Sequence, residues 1–342
     1  MASIAATRDS LNILTRFNGP RLRNAVKVYR SFKQARTTKN PIHPALPVSL
    51  SFEPTTACNL RCPECPSGLR SFSRPTGRLQ TDLFRKVLDD VSSHVAYMTL
   101  YFQGEPYLNP DFLELVQMAS QRNIYTATST NAHFLDDEHA RRTVESGLDR
   151  LIISIDGTTQ TSYESYRREG SLEKVLEGSR NIIKWKKKLR SQTPYTFFQF
   201  LVVKPNEHEI PVIRQLAKEI GVDDLRLKTA QVYDFENGNP LIPDQDKYSR
   251  YRKLADGKYA VKNSLDDQCW RMWHSCVITW DGRVVPCCFD KDATHNMGSL
   301  QENSFSEIWN GAAYQNFRRS LFSSRSEIDI CKNCSEGTKV WG

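Results

Sequence analysis

Three cysteines stand at positions 58, 62 and 65, spaced C-x3-C-x2-C within the stretch TTACNLRCPECPSG (55–68). Thiolates this close in sequence can share an inorganic centre, and their number says which kind. A structural zinc ion closes its tetrahedron with a fourth protein ligand, yet the nearest histidines, His43 and His94, lie outside the loop. A 4Fe–4S cluster has four irons, so three cysteinates hold three of them and leave the fourth free for an outside ligand. The other six cysteines are Cys269, Cys276, Cys287, Cys288, Cys331 and Cys334, with none in the 203 residues between Cys65 and Cys269. Small hydrophobes scattered through a core would not leave that gap, so two separate thiol centres are expected.

The bulk composition sets the context. The chain has 342 residues, 39% hydrophobic and 25% charged, the size of one large domain with a smaller one. No apolar run approaches the ~20 residues that cross a bilayer, and the start, MASIAATRDS, lacks a secretory pattern. A cytoplasmic protein is expected, in which clustered thiols mean metal or catalysis rather than disulfides. Residues 1–45 hold nine basic side chains against Asp9 alone, which accounts for the whole formal charge of +8. The remainder is balanced, so nucleic acid is not an expected partner. The basic segment, 1–47, reads as an arm with a helix over 20–35 and a proline-rich linker over 37–47. Leu22, Val26 and Tyr29 form its apolar stripe, for packing on the main body or for docking at an anionic membrane surface or an acidic partner.

The elements that must position the cysteines follow in alternation. Strands are expected at 48–55, 96–102, 124–130, 150–156, 196–204 and 224–232. Helices are expected at 81–95, 109–123, 136–147, 172–190 and 208–221, with Asn109 and Pro110 opening the second and Gly147 closing the third. Alternating strands and helices make a parallel sheet covered by helices. Six such units fit an α/β fold of the partial (β/α)6 TIM type over 48–232, with its chemistry on loops after strand ends. The first cysteine loop follows the first strand. A connector (233–268) leads to a small cysteine-rich domain (269–342), with a hairpin turning on Asp281–Gly282 and a helix over 304–322.

C-x3-C-x2-C after the first strand of a partial barrel resembles the radical S-adenosylmethionine superfamily. That resemblance implies a 4Fe–4S cluster on Cys58, Cys62 and Cys65, whose open iron binds S-adenosylmethionine. Reductive cleavage then gives a 5′-deoxyadenosyl radical that takes hydrogen from a substrate. YFQGEP (101–106) resembles the family's Gly-Gly-Glu motif, with Gln103 in place of the first glycine. By this likeness Gly104, Glu105 and Pro106 meet the cofactor's ammonium, and Asn131 and Ser154 its ribose and carboxylate. Asp156 faces cofactor or substrate, while Arg167 pairs with the cofactor carboxylate or, as the plainer reading, with exposed acids. Glu64 stands where the family often has an aromatic residue before the third cysteine.

Cys269 and Cys287 bracket Gly282 as C-x12-G-x4-C, and Cys331 and Cys334 form C-x2-C. This resembles the single-cluster form of the SPASM/twitch extension. It implies a second, fully ligated 4Fe–4S cluster on Cys269, Cys287, Cys331 and Cys334, able to accept or relay an electron. Cys288, next to Cys287 on an expected strand, should point the opposite way, and Cys276 could replace Cys269. A flavodoxin- or ferredoxin-type electron donor is implied. The expected activity is oxidation or modification of a peptide side chain. A dehydrogenase of a small metabolite such as a sugar or polyol, and a non-enzymatic cluster scaffold, are the alternatives.

Overall fold

The computed structural model describes residues 4–43, 45–334, 336 and 337; the first residues of the arm (1–3), Pro44 of its linker and residues 335 and 338–342 of the C-terminal segment lie outside these. In chain order the helices are α1 (Ile4–Leu14), α2 (Gly19–Thr38), α3 (Pro66–Leu69), α4 (Thr81–Val91), α5 (Phe112–Gln121), α6 (Asp137–Glu145), α7 (Gln160–Tyr166), α8 (Leu172–Lys188), α9 (Ile210–Ile220), α10 (Arg271–His274), α11 (Phe305–Asn310) and α12 (Ala312–Ser324). The strands are β1 (Ser49–Phe52), β2 (Tyr97–Leu100), β3 (Tyr125–Thr130), β4 (Arg150–Ser154), β5 (Tyr195–Val202), β6 (Asp224–Thr229), β7 (Tyr251–Lys253), β8 (Tyr259–Val261), β9 (Ser275–Ile278), β10 (Arg283–Val285) and β11 (Gly298–Ser299).

β1 to β6 lie side by side, each parallel to the next, as the alternation requires. Leu50 and Phe52 of β1 and Met98 and Leu100 of β2 are fully buried against the helices. Ser49, Ser51, Tyr97 and Thr99 alternate with them and are only half-buried. The sheet is therefore apolar towards its helices and more polar on its other face, which suits a partial barrel that leaves room inside.

The C-terminal segment does not stand apart from this sheet. β9 pairs in parallel with β1, Ser49 opposite Ser275 and Phe52 opposite Ile278. β10 then turns back on β9 through Gly282, at φ +85°, and β11 adds beyond it, giving the order β11-β10-β9-β1-β2-β3-β4-β5-β6. Glu53 seals this joint. It is buried at the end of β1, in a two-pronged ion pair with Arg74 at 2.6 and 2.7 Å.

Several expectations need correction. Asn109 opens no helix: α5 starts at Phe112, and the buried Asn109 amide donates to the carbonyls of Pro54 and Leu79. The helix expected over 304–322 is two, α11 and α12, parted at Gly311. The connector contains the β7–β8 ladder. The arm adds α1, whose buried Asp9 meets Tyr125 and Arg150 at the start of β3 and β4. Above all, the apolar stripe of α2 faces out. Leu22, Val26 and Tyr29 are exposed, while Arg21, Asn24, Val28 and Phe32 are buried. Arg21 decides this, because its guanidinium donates to the carbonyls of Arg16, Ser92, Arg122 and Asn123. Among the described residues no helix is long and apolar enough to cross a membrane.

Arg74→Leu should lower the unfolding free energy by about 3–5 kcal/mol, because it leaves Glu53 charged and buried without its partner. Urea denaturation measures this, and a loss below about 1 kcal/mol would mean the pair is not the seal it resembles.

Candidate active site

The loop after β1 is folded tightly enough to bring its thiols together. Gly68 packs so closely that a Cβ there would sit 2.5 Å from the Cys62 nitrogen. Cys62 is buried and Cys58 and Cys65 are half-buried, all three against Leu60, Tyr166 and Val203. Burial pushes the Cys58 thiol up to about 12 and raises Cys62 as well, with Arg167 pulling Cys62 back down. The bare protein therefore favours neutral thiols here, and a metal's charge would draw the thiolates out. Among the described residues no three His, Cys, Asp or Glu side chains converge on one metal ion. A cubane asks each thiolate for a separate corner instead, and three neighbouring thiols on one loop, packed in one apolar cluster, fit that donor pattern.

QGEP leaves β2 and lies directly on this loop. Gly104 adopts φ +74°, and a Cβ on it would come within 2.2 Å of the Thr55 carbonyl oxygen. The Gly104 amide donates to Ser67 at 2.8 Å and the Glu105 amide to the Ala57 carbonyl at 2.8 Å. Gln103 is buried, with its oxygen 3.9 Å from the Cys65 sulfur. Pro106 begins a single 3-10 turn. The Glu105 carboxylate is 2% exposed and accepts from the Thr130 hydroxyl at 2.7 Å, the Asn131 amide at 2.8 Å and the Tyr107 amide at 3.3 Å. Burial nevertheless lifts its pKa to about 7 against those donors. Arg167 also acts on it, but Arg167 is itself paired with Asp156. Among the described residues Glu105 is thus a buried carboxylate without an ion-pair partner, and a ligand ammonium would fit it.

Asn131, just past β3, donates its side-chain amide to Asn59 of the cysteine loop at 2.8 Å. Ser154 ends β4, buried, 3.4 Å from Ser129 across the sheet. Asp156 is fully buried and accepts from the Leu201 amide at 2.7 Å. Its ion pair with Arg167 corrects the expectation that Arg167 meets exposed acids. One Arg167 nitrogen also lies 3.9 Å from the Cys62 sulfur, so this arginine belongs to the site. Glu64 is not free for other work: it accepts from the Tyr233 amide at 2.8 Å and the Asn239 side chain at 3.4 Å, binding the connector to the cysteine loop.

Of the second group, Cys269, Cys331 and Cys334 are buried and Cys287 half-buried. Cys269, Cys287 and Cys331 share an apolar cluster with Trp270, Trp273 and Phe32. Arg325, a residue the sequence pattern did not single out, lies fully buried among them. It donates to the carbonyls of Gln268 and Glu336 at 2.8 and 2.7 Å and reaches the Cys334 sulfur at 3.5 Å. Its charge pulls Cys269, Cys331 and Cys334 down, against the larger effect of burial. Cys276 lies in β9 within the main core, opposite Leu50 and beside Tyr314. β10 ends at Val285, before both Cys287 and Cys288, so no strand alternation governs them. Cys287 packs against the cluster of Trp270 and Phe32, and Cys288 against that of Val277 and Val285.

Gly104→Ala should cost more than about 1 kcal/mol of stability, since both the positive φ and the close carbonyl forbid a side chain. Thermal unfolding reads this, and an unchanged midpoint would mean that the loop relaxes freely.

Residues 52–214 match the family model of the Radical SAM superfamily, and residues 269–335 match SPASM, an iron–sulfur cluster-binding domain. The chain is 26% identical over 313 residues to the tungsten-containing aldehyde ferredoxin oxidoreductase cofactor-modifying protein of Pyrococcus furiosus, covering 84% of this chain and 86% of that one. It is 26% identical over 316 residues to the PqqA peptide cyclase of Gluconobacter oxydans, covering 87% and 86%. The solved structure of anSMEcpe with bound AdoMet and Cp18Cys peptide superposes with a TM-score of 0.60 at 16% identity, over 85% of this chain and 88% of that one. With the partial barrel, the cysteine loop after β1 and the second cysteine group on the same sheet, these matches place the chain in the radical SAM superfamily, with a SPASM domain at its C-terminal end.

Proposed function

We propose that the chain modifies a peptide side chain by radical chemistry. In this reading Cys58, Cys62 and Cys65 hold a 4Fe–4S cluster through three irons, and Cys269, Cys287, Cys331 and Cys334 hold one auxiliary 4Fe–4S cluster. The first cluster, when bound with S-adenosylmethionine, supplies a 5′-deoxyadenosyl radical. The chain's own residues bind, orient and exclude water. Glu105 takes the cofactor's ammonium, on a loop shaped by Gly104 and Pro106. Asn131 and Ser154 lie at the neighbouring strand ends for ribose and carboxylate, and Asp156 holds Arg167 towards the cysteines. The carrying observation is the Glu105 carboxylate, buried against the cysteine loop next to Cys58 and fed by three donors, with no ion-pair partner among the described residues. A peptide substrate is supported by the relative named for a peptide and by the peptide bound in the anSMEcpe structure. A flavodoxin- or ferredoxin-type protein supplies the electron.

Anaerobic reconstitution should give roughly eight irons per chain. Cys58→Ala should keep about half of that iron and lose 5′-deoxyadenosine formation. With candidate peptides, 5′-deoxyadenosine should appear in step with a change in peptide mass. Turnover of a sugar or polyol and of no peptide would overturn the peptide reading. Arg325→Gln should move the auxiliary cluster's midpoint potential to a more negative value, because reduction adds a negative charge that Arg325 favours. An EPR-monitored redox titration at matched iron content measures this, and a midpoint that stays put or rises refutes it.

A further inference from the structure

We propose that the outward face of α2 is the docking surface for the electron carrier that exchanges electrons with the auxiliary site. The inference rests on the proposed function, because it takes the second cysteine group to hold a redox cluster.

The first observation is that α2 is turned against its own pattern. A helix that only packed on the body would bury its apolar stripe. Here Leu22, Val26 and Tyr29, spaced i, i+4 and i+7, are 55%, 41% and 40% exposed. The buried side is instead set by polar groups. Arg21 donates to four backbone carbonyls, and Asn24 bonds both backbone groups of Leu46, at 2.8 and 3.2 Å. The fold thus holds three apolar side chains in water on a helix whose rotation is firmly fixed.

The second observation is charge. Arg23, Lys27, Arg30, Lys33 and Arg36 are exposed around that stripe, and α2 contains no acidic residue. Among the described residues none of the five is in an ion pair. An apolar centre inside a charged rim is the anatomy of a protein interface. A rim of one sign selects and steers a partner of the other sign, here an acidic one.

The third observation is what lies behind the helix. Val28, Phe32 and Ala35 of its inner face share an apolar cluster with Cys269, Trp270 and Cys331, and Cys287 packs on it. Phe32 meets the Trp270 ring edge-on at 5.1 Å, and Tyr29 meets it edge-on at 6.4 Å. Tyr29 is therefore part of the exposed stripe and also touches the residue next to Cys269. A partner seated on α2 is separated from the auxiliary cysteines by one helix, roughly 10 Å thick. An anionic lipid surface would also answer the charge, but lipid has no use for a redox site one helix away. The occupant is a small acidic flavin or iron–sulfur protein. One electron passes between it and the auxiliary cluster, one partner being oxidised as the other is reduced, with no bond made or broken.

The test uses the reconstituted enzyme, an acidic flavodoxin, and Lys27→Glu with Arg30→Glu on one chain. Flavodoxin binding, followed by flavin fluorescence, should weaken at least about tenfold in the variant, and should weaken in the wild type between about 0.05 and 0.3 M salt. Reduction of the auxiliary cluster by flavodoxin hydroquinone should slow by a similar factor. Dithionite-driven 5′-deoxyadenosine formation should stay the same in wild type and variant, which shows that the variant is folded and loaded. Equal flavodoxin affinity in both proteins overturns the proposal. So does a variant that loses binding to phosphatidylserine vesicles while keeping flavodoxin affinity, which assigns the face to a membrane. If the wild type makes no 5′-deoxyadenosine with dithionite, the radical reading fails, and that result is distinct from a failure of docking.

Discussion

The parallel ladder between β1 and β9 is the constraint on which both thiol centres depend. β1 runs into the loop of Cys58, Cys62 and Cys65, while β9 begins six residues after Cys269 and leads through β10 to Cys287. The first cysteine loop and the Cys269 and Cys287 part of the second group thus flank neighbouring strands of one sheet, tied by backbone hydrogen bonds rather than by a linker, while Cys331 and Cys334 follow α12. The end of the ladder is fixed by the same means. The Glu53 amide donates to the Ile278 carbonyl, and its carboxylate accepts from Arg74 and from the Trp280 amide. Arg74 also donates to the Lys291 carbonyl. One buried ion pair so holds four segments, which makes the junction a joint without a hinge.

Buried arginines do much of the remaining stitching, mostly without carboxylates. Arg21 ties the arm to two loops, those after α4 and α5. Arg318 donates to the carbonyls of Met272 and Trp309, and Arg325 to those of Gln268 and Glu336. A carbonyl satisfies a guanidinium's donors but does not cancel its charge. Arg325 therefore keeps a positive potential among Cys269, Cys331 and Cys334, where an anionic centre would otherwise be costly to bury. Arg167 differs, because Asp156 neutralises most of it, and its reach to Cys62 is correspondingly a matter of position.

What was legible in the sequence follows from the range of the forces involved. The six core strands and the five longer helices between them announce themselves by local periodicity and form close to where expected, whereas the short helices α3 and α7 carry too few residues to show a period. The cysteines announce themselves by spacing. The outward turn of α2 was not legible: Leu22, Val26 and Tyr29 make a proper amphipathic stripe, and what contradicts it is the set of long-range bonds of Arg21 to Ser92, Arg122 and Asn123 and of Asn24 to Leu46. The pairing of 49–52 with 275–278 joins two short stretches with no mark of mutual affinity. Arg325 looks like any surface arginine until the chain around Gln268 and Glu336 closes over it. The strand expected to carry Cys287 and Cys288 ends at Val285, so their placement rests on loop packing that no local pattern announces.

The sheet has two free ends. β6 pairs with β5 and β11 with β10, and nothing joins β6 to β11 among the described residues. A closed ring would force a long guest to be threaded from its tip. A wall with a seam lets a polymer slip in sideways, its middle residue inside and both tails in solvent. For a peptide guest, the reacting position could then lie anywhere along its length, and flanking segments of any size would be tolerated.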